Sequence, residues 1–248
     1  MTKVSFIIPM HNEGENVNLM FDRLNKVIKD NKINSEVILI DDNSNDNTGE
    51  ICDKIKSNNK NVKVIHRKGA NGLGGVFRDG FREASGDLVI SLDGDLSHEP
   101  ETIPIFLKKY DETKADLIIG SRFINGGSVE LPALRVFLSR SCANIARIIT
   151  GIPVEDCSSG YRLHTREVVK NLNLKSNGFE VHTEIPVKTY LMGYRVDQVP
   201  INYKKRVYGS SKLKFLTMWT KYFKVIIREK FNKILRKNEY GSKRQSQG

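Results

Sequence analysis

No apolar stretch in these 248 residues approaches the roughly 20 needed to span a bilayer, so no membrane-crossing helix is expected. The first residues run directly into a strand pattern, which leaves no sign of a secretory signal peptide. Cysteine is scarce. Cys52, Cys142 and Cys157 are odd in number, widely spaced and without a Cys-x-x-Cys pair, which argues against a disulfide scaffold, carries no metal-site signal and fits a reducing compartment. No Gly-x-Gly-x-x-Gly follows the first strand, and no phosphate-loop lysine motif occurs, so dinucleotide oxidoreductases and Walker-type ATPases are disfavoured. There is no internal repeat. Excess charge is missing from most of the chain as well: residues 1–200 carry 26 Lys and Arg against 27 Asp and Glu. Residues 201–248 carry 14 against two. The +11 formal charge therefore sits in the last fifth of the chain, which suits contact with anionic lipid, polyphosphate or nucleic acid.

What the chain does have is an alternation of strands and helices. Val4–Ile8, Val37–Ile40, Val62–Ile65, Leu88–Leu92 and Asp116–Ser121 read as strands. Between them lie helices with Val17, Phe21, Leu24 and Ile28, then Leu73, Val76, Phe77 and Phe81, turned inward, and one opened by Pro100-Glu101. Asn12 and Glu15 are placed to cap the first helix as a capping box. Such alternation predicts an α/β domain with a doubly wound, mostly parallel sheet. Three strands end in polar or acidic groups: Pro9-Met10-His11-Asn12-Glu13, Asp41-Asp42 and Asp93-Gly94-Asp95. Ligands of such sheets bind at the carboxyl edge of the strands. Two carboxylates separated by one glycine at that edge suit Mg²⁺ or Mn²⁺ carrying a diphosphate; the structural alternative is an acidic turn.

The motifs Ile8-Pro9-Met10-His11-Asn12-Glu13, Ile40-Asp41-Asp42-Asn43-Ser44 and Asp93-Gly94-Asp95 resemble the nucleotide-sugar core of the inverting, family 2 glycosyltransferases of GT-A fold. A second set is similar to the dolichyl-phosphate mannose synthases. It comprises Asp93-Gly94-Asp95-Leu96-Ser97-His98, Gly120-Ser121-Arg122-Phe123, Asp156-Cys157-Ser158-Ser159-Gly160-Tyr161-Arg162 and Arg206-Val207-Tyr208-Gly209-Ser210-Ser211-Lys212-Leu213. The motifs are collinear from residue 3 to about 215.

The resemblance implies roles for individual positions. Pro9, His11, Glu13, Ile40 and Asp42 match positions that hold the base and ribose of the donor; Glu13 and Asp42 are chemically able to accept hydrogen bonds from hydroxyl or base N–H groups. Asp93 and Asp95 match the metal and diphosphate positions. Arg122, Arg135, Ser139 and Arg206 match positions that bind the phosphate of a lipid acceptor, and Lys212 is added to them on charge. The implied reaction transfers a hexose, with mannose from GDP-mannose favoured, to polyprenyl or dolichyl phosphate with inversion. UDP-glucose or UDP-N-acetylglucosamine as donor, or a cell-surface glycan as acceptor, is the alternative within enzymes; a basic RNA-binding module is the alternative outside them. No dedicated general base is evident in the sequence, and an ionised phosphate acceptor needs little deprotonation. Several residues keep a structural alternative: His98 as loop filling, Arg122 as a partner of Asp116 or Glu130, Asp156 as a turn residue rather than a sugar contact, Arg140 as structural, and Gly72, Gly74 and Gly75 as helix-start flexibility.

Residues 1–212 are assigned to the GT-A domain, 213–237 to an amphipathic helix and 238–248 to a disordered basic tail. In the helix, Lys214, Thr217, Lys221, Lys224 and Arg228 form a polar stripe beside an apolar face that includes Trp219, Phe223 and Ile227. That pattern suits a helix lying in the interface of an anionic membrane, with packing on the protein's own core as the alternative. The expected location is peripheral, on the cytoplasmic side of a membrane, with a small membrane-anchoring partner as one means of retention; no nucleic acid is expected to bind.

Overall fold

The computed structural model describes residues 2–69, 72–204 and 215–245, with the side chains of 219–235 in the last of these segments. The chain begins β1 (Val4–Met10), α1 (Val17–Asp30), β2 (Ser35–Asp41), α2 (Thr48–Asn58), β3 (Val62–His66), α3 (Leu73–Glu83) and β4 (Leu88–Ser91). A 3-10 turn (Pro100–Thr102) precedes α4 (Ile103–Thr113), β5 (Leu117–Ser121), β6 (Ser128–Val129) and α5 (Ala133–Thr150). There follow β7 (Arg162–Thr165), α6 (Arg166–Asn171), α7 (Val181–Leu191), β8 (Val196–Pro200), β9 (Asn202–Tyr203) and α8 (Phe215–Gln245).

Seven strands form one sheet in the order β3-β2-β1-β4-β7-β5-β8, and β6 pairs with β9 beside it. Every pairing in the large sheet is parallel except the two made by β7, which runs antiparallel to both β4 and β5. The mostly parallel sheet expected from the alternation is present; its antiparallel strand was not anticipated. Successive side chains of a strand point to opposite faces, and both faces are apolar here. Phe6, Ile8, Val37 and Leu39 pack with α1, α2 and α4 on one side, while Ile7, Ile38, Ile40 and Val89 pack with α3, α5, α6, α7 and α8 on the other. Helices on both faces explain why these strands read as continuous apolar runs.

The capping box is not formed. α1 starts at Val17, and Asn12 adopts φ of 56°. Its side chain accepts a bond from Asn45 N–H (2.9 Å), and its own N–H donates to Ser44 Oγ (2.9 Å). Asn12 therefore ties the exit of β1 to the exit of β2, and its left-handed backbone is one that asparagine tolerates. Gly72 opens α3 with φ of 67°, a conformation that favours glycine, whereas Gly74 and Gly75 have a packing role. A Cβ on Gly74 would stand 1.9 Å from Ser176 O, and one on Gly75 would stand 2.1 Å from Arg67 Nη2.

Helix α8 has two faces. Tyr222, Val225, Ile226 and Glu229 turn toward the domain, with Val225 and Ile226 fully in the core. A buried ionic network fastens this face: Arg228 Nη2 lies 3.0 Å from Glu184 Oε1, its Nε donates to Glu229 Oε1 (2.8 Å), and Lys188 Nζ lies 3.6 Å from Glu184 and 3.8 Å from Glu229. Phe223, Ile227, Phe231, Ile234 and Leu235 are exposed. At 3.6 residues per turn this apolar stripe lies opposite the docked face. Packing on the protein's own core and an exposed apolar face thus coexist in one helix. Among the described residues no helix is long and apolar enough to cross a membrane.

Candidate active site

In parallel register Met10 lies beside Asp41, and Asp42 N–H donates to Met10 O (2.9 Å). The ends of β1, β2 and β4 therefore reach the carboxyl edge together and line one cleft of about 600 Å³. Of the residues singled out from sequence, Pro9, His11, Glu13, Asp42, Asp93, Asp95, Arg122, Arg135 and Ser139 border it. Ile40 is 0% exposed and belongs to the core beneath. Arg206 and Lys212 lie outside the described residues.

Asp93 and Asp95 follow β4 directly. A Cβ on Gly94 would stand 2.4 Å from Met10 Sδ and 2.9 Å from Pro9 O, so only glycine lets the turn between the acids lie against β1. Asp95 is held by Ser97, whose N–H (3.0 Å) and hydroxyl (2.5 Å) both donate to Oδ1. Asp93 N–H donates to His98 Nδ1 (3.3 Å). His98 is buried between the rings of Tyr161 and Tyr203, and burial pushes its pKa down, toward the neutral ring. It is a support for the acid turn, which fits the loop-filling alternative.

Where β1 and β2 end, His11 Nδ1 lies 2.9 Å from Asp42 O. Glu13 accepts from Asn16 Nδ2 (2.6 Å), while its N–H donates to Thr48 Oγ1 (2.8 Å). The Asp42 carboxylate is gripped by Arg67, whose Nε also donates to Asp79 (2.8 Å). Sequence reasoning missed Arg67. Gly75 was its available signal, because the absent side chain makes room for the guanidinium.

Arg122, which follows β5, lines the same cleft. Its partner is neither Asp116 nor Glu130: Nε donates to Asp156 Oδ2 (2.7 Å) and Nη2 to Asp156 Oδ1 (2.8 Å) and Ser158 Oγ (2.7 Å). Asp156 is 0% exposed and also accepts the N–H groups of Ser158 and Ser159. Burial alone would raise its pKa, yet the Arg122 charge and these bonds hold it below the usual carboxylate range. Asp156 anchors the turn and Arg122, as its structural alternative proposed. Arg135 and Ser139 stand on α5. The cleft also takes in His182 from α7 and Trp219 and Tyr222 from α8. Trp219, read with the membrane face, turns toward the cleft. None of these three carried a local motif. They arrive through helix packing.

The fit to a divalent cation rests on the donor set and its cradle. Two carboxylates stand at the strand end, and the glycine between them sits where no larger residue fits. Hard oxygen donors of this kind suit Mg²⁺ or Mn²⁺ shared with phosphate oxygens. Among the described residues no third His, Cys, Asp or Glu joins them.

A mostly parallel α/β sheet with acids converging at the carboxyl edge of its strands is an architecture that binds its ligands at that edge. Residues 5–172 match the model of glycosyl transferase family 2, and the chain belongs to that family. It is 36% identical over 222 residues to a dolichol-phosphate mannosyltransferase of Pyrococcus furiosus, covering 88% of this chain and 61% of that one. It is 34% identical to an undecaprenyl-phosphate mannosyltransferase of Micrococcus luteus, covering 85% of this chain and 87% of that one. The fold is shared with glucosyl-3-phosphoglycerate synthase of Mycobacterium tuberculosis, solved with Mn²⁺, UDP and glucosyl-3-phosphoglycerate. The TM-score is 0.70 at 18% identity, over 92% of this chain and 80% of that one.

Proposed function

We propose that this protein transfers a hexose, namely mannose from GDP-mannose, to a polyprenyl phosphate at a membrane surface, with inversion at the anomeric carbon. The observation that carries the reading is a single cleft lined both by the carboxylates of Asp42, Asp93 and Asp95 and by Arg122, Arg135 and Ser139. The mannosyltransferase relatives act on dolichol phosphate and undecaprenyl phosphate by their names, which supports the same acceptor class here.

In this reading Asp42 and Glu13 accept hydrogen bonds from the base and ribose, and Arg67 keeps Asp42 oriented. Asp93 and Asp95 would hold a divalent cation, which supplies charge neutralisation for the departing nucleoside diphosphate. Arg122, with Arg135, Ser139, Arg206 and Lys212, binds the acceptor phosphate; its pairing with Asp156 fixes the guanidinium before the acceptor arrives. A phosphate monoester is already ionised near neutrality, so no protein base is required. One acceptor oxygen forms a bond to the anomeric carbon as the bond to the diphosphate breaks, and the electron pair leaves on the diphosphate. Attack opposite the leaving group turns an α-linked donor into a β-linked lipid phosphate. The exposed stripe of α8, with Leu134 and Phe137 on α5, supports peripheral membrane binding.

The deciding experiment incubates purified protein and polyprenyl phosphate with labelled GDP-mannose, UDP-glucose and UDP-N-acetylglucosamine. Alkali-resistant, mannosylated lipid phosphate from GDP-mannose alone is expected. Product from a UDP-sugar corrects the donor; product on neutral polyprenol overturns the acceptor.

A further inference from the structure

Between Asp93 and His182 the cleft wall is formed by Gly160, whose missing side chain leaves a gap. A Cβ there would stand 2.9 Å from Asp93 Oδ1 and 2.9 Å from His182 Cε1, with His182 Nε2 at 3.5 Å. Gly160 does not have the positive φ that favours glycine, so space is the reason for the residue. His182 is held from three sides. Arg162, itself fully buried, donates Nη2 to the His182 carbonyl and to Cys157 O (3.1 Å). The Phe77 ring meets the imidazole edge-on at 5.6 Å, and Phe179 lies at 6.5 Å. The ring's Nδ1 is buried with no hydrogen-bond partner, whereas Nε2 is on the side of Gly160 and Asp93. Placing the proton on Nε2 gives the cleft an N–H donor beside Gly160, whose other neighbour is a carboxylate that only accepts. A group that donates to one and accepts from the other must be both donor and acceptor. A hydroxyl meets that requirement, whereas a phosphate oxygen, which cannot donate, does not.

We infer that Asp93, Gly160 and His182 form a subsite for one hydroxyl of the donor's sugar ring, with His182 Nε2–H as a specificity-determining contact. This deepens the nucleotide-sugar reading above and rests on it. Asp93 has lone pairs enough for both a cation and a hydroxyl.

The test measures binding of GDP-mannose, its mono-deoxy analogues and GDP to wild type, His182→Leu, His182→Gln and Gly160→Ala; UDP-glucose, its deoxy analogues and UDP are used instead if that is the donor wild type binds. Loss of one neutral hydrogen bond corresponds to about tenfold. We expect His182→Leu to weaken the nucleotide sugar about tenfold and leave the nucleoside diphosphate within about twofold, with His182→Gln, which keeps an N–H donor, intermediate; Gly160→Ala, whose added methyl also presses on Asp93, should weaken the nucleotide sugar at least as much. One mono-deoxy donor should bind wild type about tenfold more weakly and lose nothing further in His182→Leu. Equal losses for nucleotide sugar and nucleoside diphosphate in His182→Leu would mean a purely structural role and overturn the proposal, as would unchanged binding. If the variants do not fold, wild type that treats all mono-deoxy donors alike overturns it equally. Wild type that binds the donor but mannosylates no lipid phosphate refutes the transfer reading and leaves these arms to decide the subsite. Wild type that binds no nucleotide sugar refutes both.

Discussion

Arg122 is 6% exposed and Asp156 is 0% exposed, so their two-pronged contact is made almost without water. Removing one partner leaves the other charge buried and unpaired, a loss of about 3–5 kcal/mol in comparable pairs. Asp156→Ala should therefore lower urea stability by that order and impair lipid-phosphate kinetics together, since the guanidinium loses its fixed orientation. Arg122→Lys keeps a charge without the fork. Its kcat/KM for lipid phosphate is expected to fall at least about tenfold, with nucleoside diphosphate affinity retained, as read by acceptor kinetics and calorimetry. For the acid turn the expectation is larger. Asp95→Ala should cost about 10²-fold or more in turnover, the scale of losing a principal electrostatic stabiliser, and wild type should stop in EDTA and recover with added Mg²⁺ or Mn²⁺. Full activity of Asp95→Ala in EDTA would remove the metal assignment.

Among the elements, α8 is the one whose two faces make separable predictions. Ile226 is 1% exposed in the core shared with α5 and α7. Ile226→Ala should cost about 2–5 kcal/mol in denaturant unfolding. Phe231 is 58% exposed on the opposite face, and Phe231→Ser should change stability by no more than about 0.5 kcal/mol while reducing co-sedimentation with anionic vesicles. Removing everything from Phe215 onward should do both, because it also strips Arg228 and Glu229 from Glu184 and Lys188. Unchanged vesicle binding of Phe231→Ser together with Ile227→Ser would show that the exposed stripe is not the membrane contact. The basic residues of 201–248 add attraction of roughly 1 kcal/mol each near an anionic surface, screened by salt, so partial release at high ionic strength is expected.

At the scale of the whole molecule, a carboxylate far from the cleft ties distant strands together. Glu36, at the start of β2, accepts the Ser5 hydroxyl (2.6 Å) and the Ser85 N–H (2.7 Å) and lies 3.3 Å from Lys63. It binds β1, β2 and the loop before β4 at the edge opposite the site. Burial pushes its pKa up, but these bonds and the lysine charge outweigh burial and bring it from 4.5 to about 2. A depressed carboxyl stabilises the native state fully above its unfolded value. Its contribution disappears as pH falls from about 4.5 toward about 2. Thermal melts should therefore show a decline over that window, and Glu36→Gln should have a shallower decline from a lower plateau. Equal slopes in the two proteins would exclude Glu36 as a source of acid sensitivity.

Local pattern accounts for much of this protein. β1 to β5, the inward faces of α1 and α3 and the acids at three strand ends are all legible from apolar spacing and residue type, because burial on both faces of a sheet imposes continuous apolar strands. Motif resemblance then brought Arg122, Arg135 and Ser139 to the same site as Asp93 and Asp95. What the spacing could not contain was contact between distant segments. β7 inserts antiparallel from a segment to which no strand was assigned, Asn12 bonds across to the β2 exit instead of capping α1, and Asp156 reaches Arg122 across 34 positions. His182 and Trp219 enter the cleft, and Arg67 reaches Asp42, for the same reason. Their places depend on which surfaces the helices bury against each other, and that is settled by packing of the folded chain, where side chains remote in sequence compete for the same space.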